Sequence, residues 1–231
     1  MDVILVPGLW LDADSWTPVL PALQAAGHRP RPLTLPGVGE PASASAGIGI
    51  DDWVAEVVRA VDAAAQPVVL VGHSGGGNVV WGAADARPDN VRRLVFVDTV
   101  PPPSEHGIGE FTTVDGVIPF PGWDSFDAPD VADLDDAARA RTTSLLHSIP
   151  ARVPTDPLTL TDPRRYDVPV TLLMGTLTKD ELDEYLAQWG AYGEEYRAIR
   201  DVEVVRIGSG HWPQFSVPGR LAELLVSAID R

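Results

Sequence analysis

Cysteine is absent from this chain of 231 residues. Its absence excludes disulfide bonds, a thiolate nucleophile, and metal or iron–sulfur sites that use cysteine ligands. Long hydrophobic runs are missing too, because no apolar segment approaches the roughly 20 residues that a transmembrane helix needs. We therefore expect no membrane among the partners of this protein.

Basic residues are scarce. The chain has 17 lysines and arginines against 33 aspartates and glutamates, which gives a formal net charge of −16 at pH 7. Such a surface repels phosphate backbones and anionic lipids, so nucleic acid and membrane are both disfavoured as partners. No signal peptide is predicted, because the apolar segment Val3–Val6 follows Met1 closely without a basic start or a small-residue cleavage site. We expect a cytoplasmic protein.

Short apolar blocks alternate with helical patterns along the chain. The 45% hydrophobic and 22% charged content is typical of a globular protein, and the length suits one domain, residues 1–231. Blocks that are apolar throughout indicate a sheet covered on both faces, and helices between them indicate parallel strands. We predict an α/β fold with a doubly wound, mostly parallel sheet of about six strands. Besides an extended edge segment at 32–35, the predicted strands are Val3–Val6, Val68–Val71, Leu94–Val97, Val170–Leu173 and Val202–Ile207.

Residues 102–167 break this alternation. They are rich in proline and aromatic residues and contain no convincing strand, although Asp133–Ile149 is predicted to be a helix. A connection of this length inside a compact sheet is usually a lid or a binding excursion. The strands that follow are too few for an independent sheet. We therefore predict a helical cap inserted into the single domain, rather than a linker between two domains.

The stretch GHSGG at Gly72–Gly76 matches the pattern G-x-S-x-G where a buried strand passes into a helix. In that context the serine occupies a tight, strained turn, and its hydroxyl projects from the carboxyl edge of the sheet. Ser74 is thus a candidate nucleophile, and the N–H of Gly75 a candidate oxyanion donor. A nucleotide-binding turn is disfavoured because Val80 stands where a third glycine is needed. A structural turn, in which the serine only caps the helix, remains the other interpretation.

A nucleophilic serine needs a base, normally histidine, and an acid that orients it. His211 follows the last predicted strand and so lies at the same carboxyl edge as Ser74. His73 adjoins the serine but is expected to point elsewhere, whereas His28 follows a helix end and His106 and His147 lie in the irregular segment. Two acids are candidates. Asp98 ends the strand Leu94–Val97, whereas Asp180 begins an acidic helical turn where helix capping explains it equally well. We favour Asp98, and the chain order Ser74, Asp98, His211 fits this arrangement.

Several segments together resemble the α/β-hydrolase superfamily over nearly the whole chain. The resemblance implies that the N–H groups of Leu9 and Gly75 form the oxyanion hole. Members of the superfamily commonly carry the acid of the triad where this sequence has Thr178. A subset that includes haloalkane dehalogenases carries the acid at the position of Asp98. The matching segments are PGLW at 7–10 (proline replacing the usual histidine), LPGVG at 35–39, GHSGG at 72–76 and GHW at 210–212.

These observations predict a serine hydrolase that cleaves a small carboxylic ester, thioester or lactone, without cofactor or metal. Trp10, Trp123 and Trp212 are predicted to contact the substrate. One alternative is lyase or cofactor-free perhydrolase chemistry with the same triad. Another is a small-molecule receptor that retains the pocket but does not catalyse. The sequence leaves the oligomeric state open.

Overall fold

Six parallel strands form the central sheet of the computed structural model, which describes residues 1–231. The strand order is β2-β1-β3-β4-β7-β8, and every neighbouring pair is parallel. The predicted α/β class and the predicted sheet are therefore confirmed. Two further short strands, β5 and β6, form a separate antiparallel pair. The strands are β1 (Asp2–Val6), β2 (Arg29–Pro32), β3 (Val68–His73), β4 (Val91–Val97), β5 (Val117–Ile118), β6 (Ile149–Pro150), β7 (Val170–Met174) and β8 (Val202–Arg206).

The edge strand β2 lies earlier in the chain than the predicted segment at 32–35. Its sequence, RPRP, does not predict a strand, because proline lacks the N–H that donates hydrogen bonds to a neighbouring strand. The N–H groups of Arg29 and Leu33 donate to the carbonyls of Met1 and Leu5 in the neighbouring chain segment. The prolines fall between these donors, where the missing N–H groups would point away from the sheet. An edge position therefore tolerates them.

Two hydrophobic layers cover the sheet. Alternate strand residues such as Leu70 and Phe96 pack on one side with α3 and α4, and their neighbours Val71 and Val95 pack on the other side with α1 and α10. This two-sided burial explains why the strands are apolar throughout. None of the helices is long and apolar enough to cross a lipid bilayer. They are α1 (Leu20–Ala25), α2 (Ala42–Ser45), α3 (Ile50–Asp62), α4 (Gly75–Ala86), α5 (Ala128–Val131), α6 (Asp136–Thr142), α7 (Lys179–Leu186), α8 (Gly190–Ala198), α9 (Pro213–Ser216) and α10 (Pro218–Ile229).

Residues 102–167, here called the cap segment, contribute no strand to the six-stranded sheet. The predicted helix Asp133–Ile149 is wrong in its length, because α6 covers only Asp136–Thr142 before one 3-10 turn. Asp135 caps its start by accepting the N–H of Ala138 at 2.7 Å. At its end the hydroxyls of Thr142 and Thr143 donate to carbonyls of the preceding turn, which favours termination over propagation.

A buried ionic cluster joins the end of the cap segment to α4 and α8. Arg165 Nη1 lies 3.2 Å from Asp85 Oδ1, and Arg165 Nε donates to Glu195 Oε1 at 3.0 Å. Trp81 Nε1 donates to the same glutamate oxygen at 2.8 Å. Because all three charged side chains are buried, each one depends on the others for compensation. The cluster fixes α8 against α4 and the end of the cap segment.

Candidate active site

Ser74 occupies a strained turn between β3 and α4. Its backbone has φ 50° and ψ −126°, a positive-φ conformation that costs about 1–3 kcal/mol for a residue other than glycine. The strand and helix approach so closely that only glycine fits beside them. A Cβ on Gly72 would lie 2.6 Å from the carbonyl oxygen of Gly76, and a Cβ on Gly76 would lie 2.4 Å from that of Pro7. The predicted strand–serine–helix turn is therefore present in the structure.

Asp98 and His211 are in direct contact. Asp98 follows β4 with φ 48°, and its Oδ2 lies 2.6 Å from Nδ1 of His211. The other carboxylate oxygen accepts the N–H of Gly175 at 2.7 Å. Burial alone would favour the neutral acid, but the hydrogen bond and charge of His211 and the Gly175 N–H together hold the pKa of Asp98 below its ordinary value. A proton on Nδ1 then directs the lone pair of His211 to Nε2.

Asp180, the alternative acid, lies elsewhere. It is exposed in the first turn of α7 and makes no hydrogen bond to His211. In that helix the capping box is formed by Thr178 and Glu181, which satisfies the free N–H groups. Asp180 thus lies where an acidic residue favours the helix dipole.

His73, the neighbour of the serine, is completely buried. Its Nε2 lies 2.7 Å from the carbonyl oxygen of His211, and its Nδ1 lies 3.2 Å from Nε2 of Gln214. Burial, followed by the nearby charge of His211, lowers the pKa of His73 to about 3. A neutral His73 therefore supports the backbone of the loop that carries His211. The other three histidines do not contact His211 or Asp98: His28 contacts Asp230, His106 contacts Ser104, and His147 contacts Asp12.

The loop after β1 lies against the serine turn. A Cβ on Gly8 would lie 2.7 Å from Nδ1 of His73 and 3.1 Å from Cβ of Ser74, so the loop has no room for a larger residue there. A Cβ on Gly75 would lie 2.9 Å from Cγ of Leu9, so the two loops also pack closely there. The N–H groups of Leu9 and Gly75 donate to no protein acceptor. Two free donors beside one serine are the arrangement that an oxyanion requires.

Ser74, Gly75, Asp98 and His211 all line one cavity of about 440 Å³. Ser74 Oγ forms no hydrogen bond to His211 in this structure. Such bonds are often long before substrate binds, so the separation is compatible with a nucleophile–base pair. No group of three or more potential protein ligands lies together in a way that could hold a metal ion.

The three tryptophans predicted to contact substrate do not line this cavity. Trp10 and Trp212 are 3% and 1% exposed, and they pack edge-on against aromatic residues of the cap segment. Trp123 contacts Trp212 with ring centroids 5.3 Å apart. Burying large aromatic surfaces attaches the cap segment to the core.

Three aromatic residues that the sequence analysis missed line the cavity instead. Tyr185, Trp189 and Tyr192 come from α7, α8 and the turn between them. Their spacing of four and three residues, on an otherwise acidic segment, is the sequence signal that marks one helical face. That signal was available but carried no topological indication that the face pointed towards the serine.

Comparisons with known proteins agree with this architecture. Residues 3–224 match the alpha/beta hydrolase family. The chain is 27% identical to a carbendazim hydrolyzing esterase of Nocardioides sp. (strain SG-4G), over 97% of this chain and 98% of that protein. The fold is similar to that of an extracellular alpha/beta-hydrolase from a Paenibacillus species, with a TM-score of 0.78, 18% identity and complete coverage of both chains. It is also similar to a methylesterase from Arabidopsis, with a TM-score of 0.73, 21% identity and coverage of 100% and 99%.

The similarity to the esterase of Nocardioides supports ester-hydrolase activity. The family match spans nearly the whole chain, and the parallel sheet has the fold of the solved relatives. The protein therefore belongs to the alpha/beta hydrolase family.

Proposed function

We propose that this protein is a serine hydrolase that cleaves small carboxylic esters, thioesters or lactones through an acyl-enzyme on Ser74. One observation carries the proposal. The 2.6 Å contact between His211 and Asp98 lies on the wall of the cavity that Ser74 also lines. A base oriented by an acid, beside a half-buried hydroxyl that lines the cavity from a strained turn, is the constellation that activates a serine.

In the proposed reaction, Nε2 of His211 takes the proton of Ser74 while Oγ attacks the substrate carbonyl carbon. The N–H groups of Leu9 and Gly75 hold the oxyanion of the tetrahedral intermediate. His211 then returns the proton to the leaving alcohol or thiol, and the acyl group remains on Ser74. Water attacks the acyl-enzyme with His211 again as base, which releases the carboxylic acid and restores the serine. Asp98 stabilises the imidazolium that forms in each half-reaction.

Each oxyanion donor contributes about 2.7–4 kcal/mol to transition-state stabilisation in enzymes of this type. The donors of this chain sit on backbone that is fixed by close packing: Gly8 against His73, and Leu9 against Gly75. Preorganised donors need no rearrangement as charge develops, which favours acyl transfer over binding alone. This supports an enzyme over a receptor that only retains the pocket.

Hydrolysis is also favoured over lyase or perhydrolase chemistry on the same residues, because a relative that aligns along 97% of this chain is named an esterase. The test is a panel of p-nitrophenyl esters of increasing acyl length, assayed with the wild type and with Ser74→Ala. We expect turnover of short acyl esters by the wild type and its loss in the variant. Thermal unfolding of both proteins controls for folding.

A fluorophosphonate probe tests the nucleophile independently of substrate choice. We expect one label per chain, at Ser74, and none on Ser74→Ala. A folded wild type that neither labels nor turns over any ester of the panel contradicts the proposal, and ester turnover that survives Ser74→Ala contradicts the assignment of the nucleophile.

A further inference from the structure

The cavity that contains Ser74 is unusual in its charge. No lysine or arginine lines it, and His211 is its only basic residue. It has two carboxylates, of which Asp98 is already bound to His211 and to the N–H of Gly175. The second, on Asp130 of α5, forms no ion pair and accepts no hydrogen bond. One negative charge at the cavity wall is therefore uncompensated by the protein.

Burial raises the pKa of the Asp130 carboxyl. The charge of His211 acts in the opposite direction, and the charges of Asp98 and Asp127 add smaller upward contributions. The protein thus solvates the charged form of this acid poorly. A cation beside Asp130 would stabilise the ionised carboxylate in place of the water that burial removes, because opposite charges attract strongly in a partly desolvated site.

A second unpartnered polar group lies at the inner end of the cavity. Asn78, in the first turn of α4, is only 6% exposed, yet its amide forms no hydrogen bond with the protein. Its polar atoms are open to the cavity, where a polar group of a ligand can replace water as the hydrogen-bond partner. An ester oxygen bound at the serine would be such a group.

Aromatic rings form the mouth of the cavity. Tyr185, Trp189 and Tyr192 follow one another with ring centroids 4.8 Å and 5.1 Å apart. Tyr185 and Trp189 are the two most exposed aromatic side chains of the protein, at 49% and 45%. Aromatic faces attract cations through the ring quadrupole, and they bind quaternary ammonium groups well. This aromatic mouth and the Asp130 carboxylate line the same cavity.

From these groups we propose that the cavity selects esters that carry a cationic ammonium group and rejects esters that carry a carboxylate. This inference rests on the proposed serine hydrolase function. The ester carbonyl lies at Ser74, its polar oxygen near Asn78, and the ammonium group between Asp130 and the aromatic mouth. A neutral aromatic ester would use the same rings but would leave the charge of Asp130 unpaired, so it fits the cavity less well.

The matched substrates for the test are acetylcholine and dimethylbutyl acetate, its neutral isostere in which carbon replaces the ammonium nitrogen. We expect kcat/KM of the wild type to be about tenfold higher for the cation, a preference worth about 1.4 kcal/mol. In Asp130→Asn the ratio should fall several-fold, and in Trp189→Leu it should also fall, but by less. The backbone carbonyl of Asp130, which accepts the N–H of His211 at 2.8 Å, is retained in the first variant.

The net charge of −16 could attract any cation to this protein. Asp180→Asn controls for that, because it removes an exposed carboxylate from the same end of the sheet without touching the cavity. Its ratio should remain near that of the wild type at about 0.15 M salt, where charges more than about 8 Å apart are screened. Equal losses in Asp180→Asn and Asp130→Asn would assign the preference to the general field and overturn the proposal.

Calorimetric titration of Ser74→Ala with choline and with dimethylbutanol separates binding from chemistry. We expect choline to bind more tightly, and Asp130→Asn in the same background to reduce the difference. If p-nitrophenyl acetate is hydrolysed but the cation has no advantage in rate or binding, this inference is wrong and the hydrolase proposal stands. If no ester is hydrolysed while choline still binds selectively, the hydrolase proposal fails instead.

Discussion

Replacing Asp98 by asparagine is the most direct test of the proposed acid. The substitution keeps size and shape, and asparagine tolerates the positive φ of 48° at this position as well as aspartate does. The N–H of Gly175 still requires an acceptor, because it donates to Oδ1 of Asp98 at 2.7 Å. The amide oxygen must therefore face Gly175, which turns the amide nitrogen towards His211.

That nitrogen is a donor, so it cannot accept the proton on Nδ1 of His211. The imidazole is then driven to the tautomer that carries its proton on Nε2, where it has no lone pair for Ser74. In a serine protease this change costs about 10⁴-fold in kcat. We expect a loss of similar size here, equivalent to about 5.4 kcal/mol of transition-state stabilisation at 1.36 kcal/mol per tenfold.

The assay compares kcat for p-nitrophenyl acetate in the wild type, Asp98→Asn and Asp180→Asn, with thermal unfolding as a check on the fold. Asp180→Asn should retain activity within about twofold, since surface substitutions of this kind have small effects. Normal activity in Asp98→Asn, or a large loss confined to Asp180→Asn, would refute the assignment of the acid.

Three further substitutions test the framework of the site. Gly8→Ala places a methyl group 3.1 Å from Cβ of Ser74 and should displace the loop that carries Leu9. We expect kcat to fall by roughly 10²-fold with little change in KM. An unchanged kcat would contradict the N–H of Leu9 as an oxyanion donor. Asp133→Ala removes the acceptor 2.8 Å from the N–H of Gly210 and should lower kcat, whereas Asp133→Asn should restore most of it; equal losses would show that charge matters instead. Arg165→Met leaves two buried carboxylates uncompensated and should lower the free energy of urea unfolding by about 3–5 kcal/mol; a smaller loss would indicate that water enters the cluster.

The sequence predicted the sheet and the serine turn because both depend on local rules. The block Val68–Val71 is apolar at every position, and glycines flank Ser74 where a close approach excludes any side chain. The contact of Asp98 with His211 followed from topology, since parallel strands end at one edge.

No local sequence rule predicts how the cap segment packs or which residues form the cavity wall. Phe120, Phe126 and the tryptophans could face either the substrate or each other, and only tertiary packing decides that they face each other. The strand β2 was misplaced for a related reason, because its RPRP sequence is compatible with a strand only at an edge. Sequence patterns identify faces, but they do not identify what each face contacts.

The way in which the cap segment is attached bears on how the site works. His147 donates its N–H to the carbonyl of Trp10 at 2.8 Å, and its side chain contacts Asp12, so the cap segment holds the loop that carries Leu9. On the opposite side, Asp130 and Asp133 hold the backbone of the loop that carries His211. A segment bound to both loops can open only by releasing hydrogen bonds that fix the two groups flanking Ser74. Because opening of the cap segment would thereby disorder the site, these hydrogen bonds fit a fixed cap segment better than a hinged lid.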